Sequence, residues 1–174
     1  MSSSLSTVGT IVPTSQLHAT LQVALSTCCD RFHWDYGEMW LPCQEEQVLE
    51  LHPAFHITPH KSSADAIALE QFWDCTKGLG FPLGVGLPGR VWASQEFEWL
   101  PDAASPSERE FLRHYIAKAL DVKTGIGLPI LVDRQVVAVF VYFMLSIRAA
   151  DAALIESMTA FTALIGHQLS ASNP

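Results

Sequence analysis

A chain of 174 residues, 49% hydrophobic and 16% charged, can bury a core of its own without disulfide or metal staples. Its net charge of −8, from 18 acidic and 10 basic residues with no Lys/Arg-rich patch, argues against DNA or RNA as a direct partner, because contact with phosphates needs cations that displace their counterions. The most apolar stretch, Ile126 to Ile147, is broken by Pro129, Asp133, Arg134 and Gln135, short of the roughly 20 apolar residues of a membrane span, and four cysteines without CxxC spacing make no secreted disulfide framework, so a soluble cytoplasmic protein is expected.

Residues 1–14 are rich in Ser and Thr and read as a flexible leader, without the basic and apolar runs of a secretory signal. The domain proper is expected over residues 15–170, with a short tail at 171–174. Leu17, Leu21, Ala24, Leu25 and Cys28 recur at helical spacing behind Ser15, a candidate cap, and predict a first helix of about 15 residues. From Trp34 to Leu41 the chain reads as a strand, with Trp34, Tyr36, Glu38 and Trp40 on one side. Pro42 to Glu46 supplies a turn and Gln47 to Phe55 a second strand, giving a hairpin with one wetter face. Ser62 and Ser63 open a second helix, Ala64 to Thr76, which Gly78 stops.

Between Gly80 and Trp92 stand four glycines and two prolines, a density that predicts tight turns rather than regular structure. A short helical turn at Gly89–Ser94 and a short strand at Glu98–Leu100 are expected next. Ser105-Pro106-Ser107-Glu108 then starts a helix striped by Phe111, Leu112, Tyr115, Ile116, Ala119 and Leu120. Thr124–Val132 and Gln135–Leu145 form the clearest hairpin, joined by Asp133-Arg134. Its second member is apolar throughout and so is buried on both faces. Its first alternates Ile126, Leu128 and Ile130 with the small residues Thr124, Gly125 and Gly127, whose side lets backbone or ligand come close to the sheet. Ala149–Leu169 closes the chain as a helix. Its seam of Leu154, Met158, Phe161, Ile165 and Leu169 suits the first helix or another subunit, so a homodimer through the terminal helices is expected. The order of elements implies an α+β fold: an antiparallel sheet between helices, with the N- and C-terminal helices packed together on one face.

Gly86-Leu87-Pro88-Gly89-Arg90-Val91-Trp92, Trp99-Leu100-Pro101-Asp102, and Gly125 to Ile130 with Val136 to Val139 stand in the order and spacing of the GAF family. The chain resembles that family over roughly residues 16–170. The phrase from Trp34 to Pro42 is most similar to GAF domains of cyanobacterial and other bacterial multi-sensor histidine kinases. The resemblance implies a sensory or regulatory module without a reaction of its own. It would bind a small molecule or partner between the sheet and a helical lid, then signal through its terminal helices to a histidine kinase or other output domain.

Photoreceptor members of the family hold a linear tetrapyrrole through a lid-helix cysteine. The matching position falls near Leu112, with Arg113 beside it, and the lack of a cysteine there argues against a covalent bilin. A cysteine-based redox sensor is the first alternative, with Cys28, Cys43 and Cys75 holding an iron–sulfur cluster, or haem on His114. The simpler reading is that these cysteines pack in the core. A free methionine sulfoxide reductase-like enzyme is the second alternative, although no cysteine stands in the Gly-rich loop or the Trp92–Asp102 segment where such relatives place theirs. His52, His56 and His60 step by four, but Pro53 and Pro59 deny them a helix. A ligand cavity is expected to be walled by Trp40, Trp92, Trp99 and Tyr142, with Asp102, His114, Lys123 and Thr124 as its polar groups. The competing reading is that the aromatic residues only fill the core.

Overall fold

The computed structural model describes residues 14–59, 61–105 and 111–171. Apart from Thr14 and Ala171, the expected leader and tail lie outside the described residues, as do His60 and the Pro106–Glu108 helix start. Helix α1 (Thr14–Arg31) leads into β1 (Tyr36–Cys43) and β2 (Val48–Ile57), then α2 (Ser63–Thr76), β3 (Gly80–Pro82) and α3 (Gly86–Ser94). Strand β4 (Glu98–Leu100), helix α4 (His114–Ala119), strands β5 (Gly125–Val132) and β6 (Gln135–Phe143), and helix α5 (Ala152–Ala171) complete the chain. The strands form one antiparallel sheet in the order β3-β2-β1-β6-β5-β4. None of the helices among the described residues is long and apolar enough to cross a membrane.

Alternation along the central strands divides the interior into two cores. Val139, Val141 and Phe143 of β6 face α2, α3 and α4, where they meet Phe72, Trp73, Leu87, Val91 and Phe111. Ala138, Phe140 and Tyr142 of the same strand face α1 and α5, where they meet Leu21, Leu25, Cys28, Met158 and Ile165. Strand β6 is therefore covered on both sides, as its unbroken apolar run requires. The terminal helices pack together against one face, as expected. The seam on α5 is used within the chain: Met158, Ile165 and Leu169 are buried against the sheet, and Leu154 and Phe161 pack at the margin.

Local chemistry explains most element ends. Ser62 caps α2 by accepting a hydrogen bond from the Asp65 amide at 3.1 Å, and Asp151 accepts from the amides of Ala153 and Leu154 at the start of α5. The helical turn expected at Gly89–Ser94 is present but begins at Gly86, as the nine-residue helix α3, and the short strand β3 stands where only tight turns were expected. Gly86 enters that helix at φ +65°, and a Cβ there would lie 2.6 Å from the Phe81 ring, so glycine is required. Pro88 falls in the first turn of α3, where the amide it lacks would have no helical partner.

Two further expectations need correction. Trp34 does not share one side with Tyr36, Glu38 and Trp40: those three are fully buried beneath the lid, while Trp34, ahead of β1, lies in the other core. The lid helix is short, and its predicted stripe is only half used, since Leu112 is 47% and Tyr115 66% exposed. The small side of β5 does admit a close approach, and α3 makes it. A Cβ on Gly127 would sit 2.7 Å from Val91 Cγ2.

Candidate functional site

The space between sheet and lid is occupied by a buried ion pair. Glu38, at the middle of the ladder that pairs it with Val141, projects from β1 into the lid-side core. Arg113, the residue before α4, reaches down to meet it and is 1% exposed. Its Nη2 donates to Glu38 Oε1 at 2.6 Å and its Nη1 to Oε2 at 3.0 Å, a two-pronged contact. The carboxylate's remaining capacity is met by Trp40 Nε1, which donates to Oε1 at 2.9 Å, and by the Tyr36 hydroxyl, which donates to Oε2 at 2.8 Å. Arg113 Nη1 also donates to Thr76 Oγ1 at 2.9 Å, and that hydroxyl in turn donates to the Phe72 carbonyl. Burial, and secondly the Glu38 charge, holds the Tyr36 phenol well above its ordinary range, so it stays a donor.

Aromatic rings enclose the cation. The Arg113 guanidinium carbon lies 4.8 Å from the Phe72 ring centre, 5.2 Å from Phe143, 5.3 Å from Phe111 and 5.8 Å from Trp40. Neither Glu38 nor Arg113 stands among the site residues expected from sequence. The overlooked signal was a carboxylate flanked two residues either way by aromatics on one strand face, which marks a partnered buried charge.

The expected ligand residues do not converge. Trp40 bonds to the ion pair, His114 is the buried residue that follows Arg113 and has its ring against Tyr115, and Trp92 packs at the edge of the lid-side core. Tyr142 belongs to the opposite core, where its hydroxyl donates to the Leu25 carbonyl, and Trp99 is there too, edge-on to Trp34. Thr124 joins neighbouring loops: its hydroxyl donates to the Pro101 carbonyl and accepts from the Arg148 amide. Asp102 turns back to accept from the Ala104 amide, and Lys123 pairs with Asp121 at 2.8 Å. Arg90 of the Gly-rich segment grips Glu98 with a two-pronged contact and so ties α3 to β4. A separate concavity of about 690 Å³ opens on the other face, between α5, the Gln95–Phe97 segment and the Asp133-Arg134 turn.

The alternative cluster of Cys28, Cys43 and Cys75 is not assembled. Cys28 lies on the buried face of α1 and Cys75 is exposed on α2, so the sheet separates them. Among the described residues no group of three His, Cys, Asp or Glu side chains is placed to hold a metal ion. His56 instead meets Asp30 at 2.7 Å, linking β2 to α1.

Burial pushes the Cys28 thiol up to about 12, and Cys29 higher still. Between the ordinary thiol value of 9.0 and about 12 the folded chain keeps a proton that the unfolded chain has lost. This contribution is therefore complete below the ordinary value and disappears as pH rises towards 12. The urea midpoint should thus fall between about pH 8 and about pH 11. In native protein a thiol reagent should label exposed Cys75 and half-buried Cys43, and reach Cys28 and Cys29 only on unfolding. Native labelling of all four would contradict this burial.

No family model matches the chain. Two pea (Pisum sativum) proteins, basic helix-loop-helix protein A and its truncated form, are 33% identical to it over 70 residues, which is 40% of this chain. The match spans only 11% and 20% of their lengths. Among solved structures, the GAF domain of an Acinetobacter phosphoenolpyruvate-protein phosphotransferase is similar at TM-score 0.62 and 18% identity, over 90% of this chain and 83% of that one. Free methionine-R-sulfoxide reductase from Neisseria meningitidis gives TM-score 0.62 at 15% identity, over 88% and 79%. The cyanobacteriochrome receptor PixJ gives 0.65 at 11%, over 91% and 98%. At these identities the likeness is one of fold: the chain has a GAF-like fold, found in various bacterial signalling proteins and shared with a reductase.

Proposed function

We propose that this domain is a regulatory module that acts through contact with other protein chains, with its lid–sheet space closed by its own side chains. The observation that carries the reading is the Glu38–Arg113 pair, which fills with protein the volume where the GAF resemblance implies a small ligand. The route of a signal follows from the two cores. Strands β1 and β6 contribute to both, so a shift of the lid reaches α1 and α5 through them. A histidine kinase or another output domain is a partner of the fitting kind, and so is a second copy of the chain. For the latter, α1 and α5 present Val23 and Leu164 to solvent. The reductase alternative needs an accessible thiolate; Cys28 and Cys29 are sealed in the core as thiols, which leaves it only exposed Cys75 and half-buried Cys43.

Native mass spectrometry of protein purified from its own host tests this. The expected spectrum contains the polypeptide mass or its dimer, with no retained small molecule. No turnover of free methionine sulfoxide is expected in the presence of a dithiol reductant. A stoichiometric small molecule that survives purification and raises the melting temperature on re-addition would overturn the reading.

A further inference from the structure

We propose that the lid side of the sheet is a guanidinium-binding site, occupied in this chain by its own Arg113 and open to a guanidino compound when residue 113 carries no cation. The argument begins with the receptor. Glu38 stands on β1, a strand hydrogen-bonded to neighbours on both sides. Its two oxygens are each oriented by a second donor, Trp40 Nε1 on one and the Tyr36 hydroxyl on the other. The carboxylate is therefore aimed by groups that do not belong to the lid. Thr76 adds an acceptor from α2, and Phe72, Phe111, Phe143 and Trp40 supply ring faces around the cation.

This geometry selects a planar fork over a point charge. A guanidinium spans both carboxylate oxygens at once, stacks on rings and sheds water more readily than an ammonium. Among the described residues, the buried side-chain polar atoms without a partner are Arg113 Nε and His114 Nδ1. Both belong to the lid that delivers the cation, and none to the receptor. The receptor is satisfied; the tether that fills it is not. A tethered cation nevertheless outcompetes a free one through its high effective concentration, so the wild-type site stays closed to added compounds.

The inference depends on the same closed lid as the reading above, but the two fail separately. A retained molecule in the wild-type protein would sink the earlier reading, whereas this one is tested on a variant. Arg113→Ala is titrated with methylguanidinium, with methylammonium and with neutral N-methylurea at equal millimolar concentrations. The melting temperature of the variant should rise by several degrees with methylguanidinium alone, and that of the wild type should not change. Glu38→Gln combined with Arg113→Ala should abolish the response. If Arg113→Ala is unfolded in plain buffer, the expected result is recovery of native circular dichroism by methylguanidinium and by neither control. A blocked Gly-Arg-Gly peptide distinguishes the sources: a matching response assigns the site to arginine on a partner chain, and a response to the small compound alone to a free guanidino ligand. Absence of a guanidinium-specific response, whether the variant is folded or not, overturns the proposal.

Discussion

Arg113→Met should lower the free energy of unfolding by about 3–5 kcal/mol, because it leaves the Glu38 carboxylate buried without its counter-charge. Glu38→Leu should cost a similar amount, leaving the guanidinium alone among rings. The combined variant, with two apolar side chains facing each other, should be more stable than the sum of the two losses implies by about 2 kcal/mol. Full recovery is not expected. Tyr36, Trp40 and Thr76 all bond to the pair, and each would be left with a buried group short of a partner. Urea unfolding of the four proteins, followed by circular dichroism, reads this cycle. Strict additivity would show that the two side chains do not depend on each other.

Gly166→Ala should also destabilise strongly, although alanine normally favours a helix interior by about 1 kcal/mol over glycine. Gly166 lies in α5 directly over β5, and a Cβ added there would fall on the Leu131 carbonyl oxygen. That neighbour is backbone within a ladder and cannot swing aside as a side chain would. The helix must lift instead and open the packing around Ile165 and Leu169, so the net loss should be about 2 kcal/mol. Glu156→Ala, on the exposed side of the same helix, should stay within about 0.5 kcal/mol of wild type. A neutral or stabilising Gly166→Ala would mean that α5 does not sit this close to the sheet.

The sequence made legible those features that a few neighbouring residues encode. The Glu98–Leu100 strand, the Ser62 cap and the double burial of β6 each follow from local spacing or composition. The first turn of α3, ahead of the helical turn expected at Gly89–Ser94, was hidden because its glycines and proline are turn formers elsewhere. Here they serve a positive φ at Gly86, a first-turn proline and a close approach to neighbouring backbone. The ion pair was hidden for a different reason. Glu38 and Arg113 are 75 residues apart, one on the sheet and one at the lid, and no local pattern relates them. Aromatic or polar character marks a residue as fit for a ligand wall without fixing which face of the sheet it takes. The alternation of β6 then sent Tyr142 to one core and Phe143 to the other.

The short reach of β4 has a consequence for solubility. Among the described residues it pairs only with Gly125, Ile126 and Gly127, and no described residue forms a strand on the outer side of β5 from Leu128 to Val132. An open rim of this kind invites an incoming chain to add itself to the ladder. Pro129 offers no amide along that rim, the ladder is irregular between Ile130 and Leu131, and α5 presses on the Leu131 carbonyl at Gly166. A foreign strand therefore meets a margin with a missing donor, a kink and a helix already seated against it, so edge-on polymerisation is discouraged where the sheet would otherwise be most vulnerable.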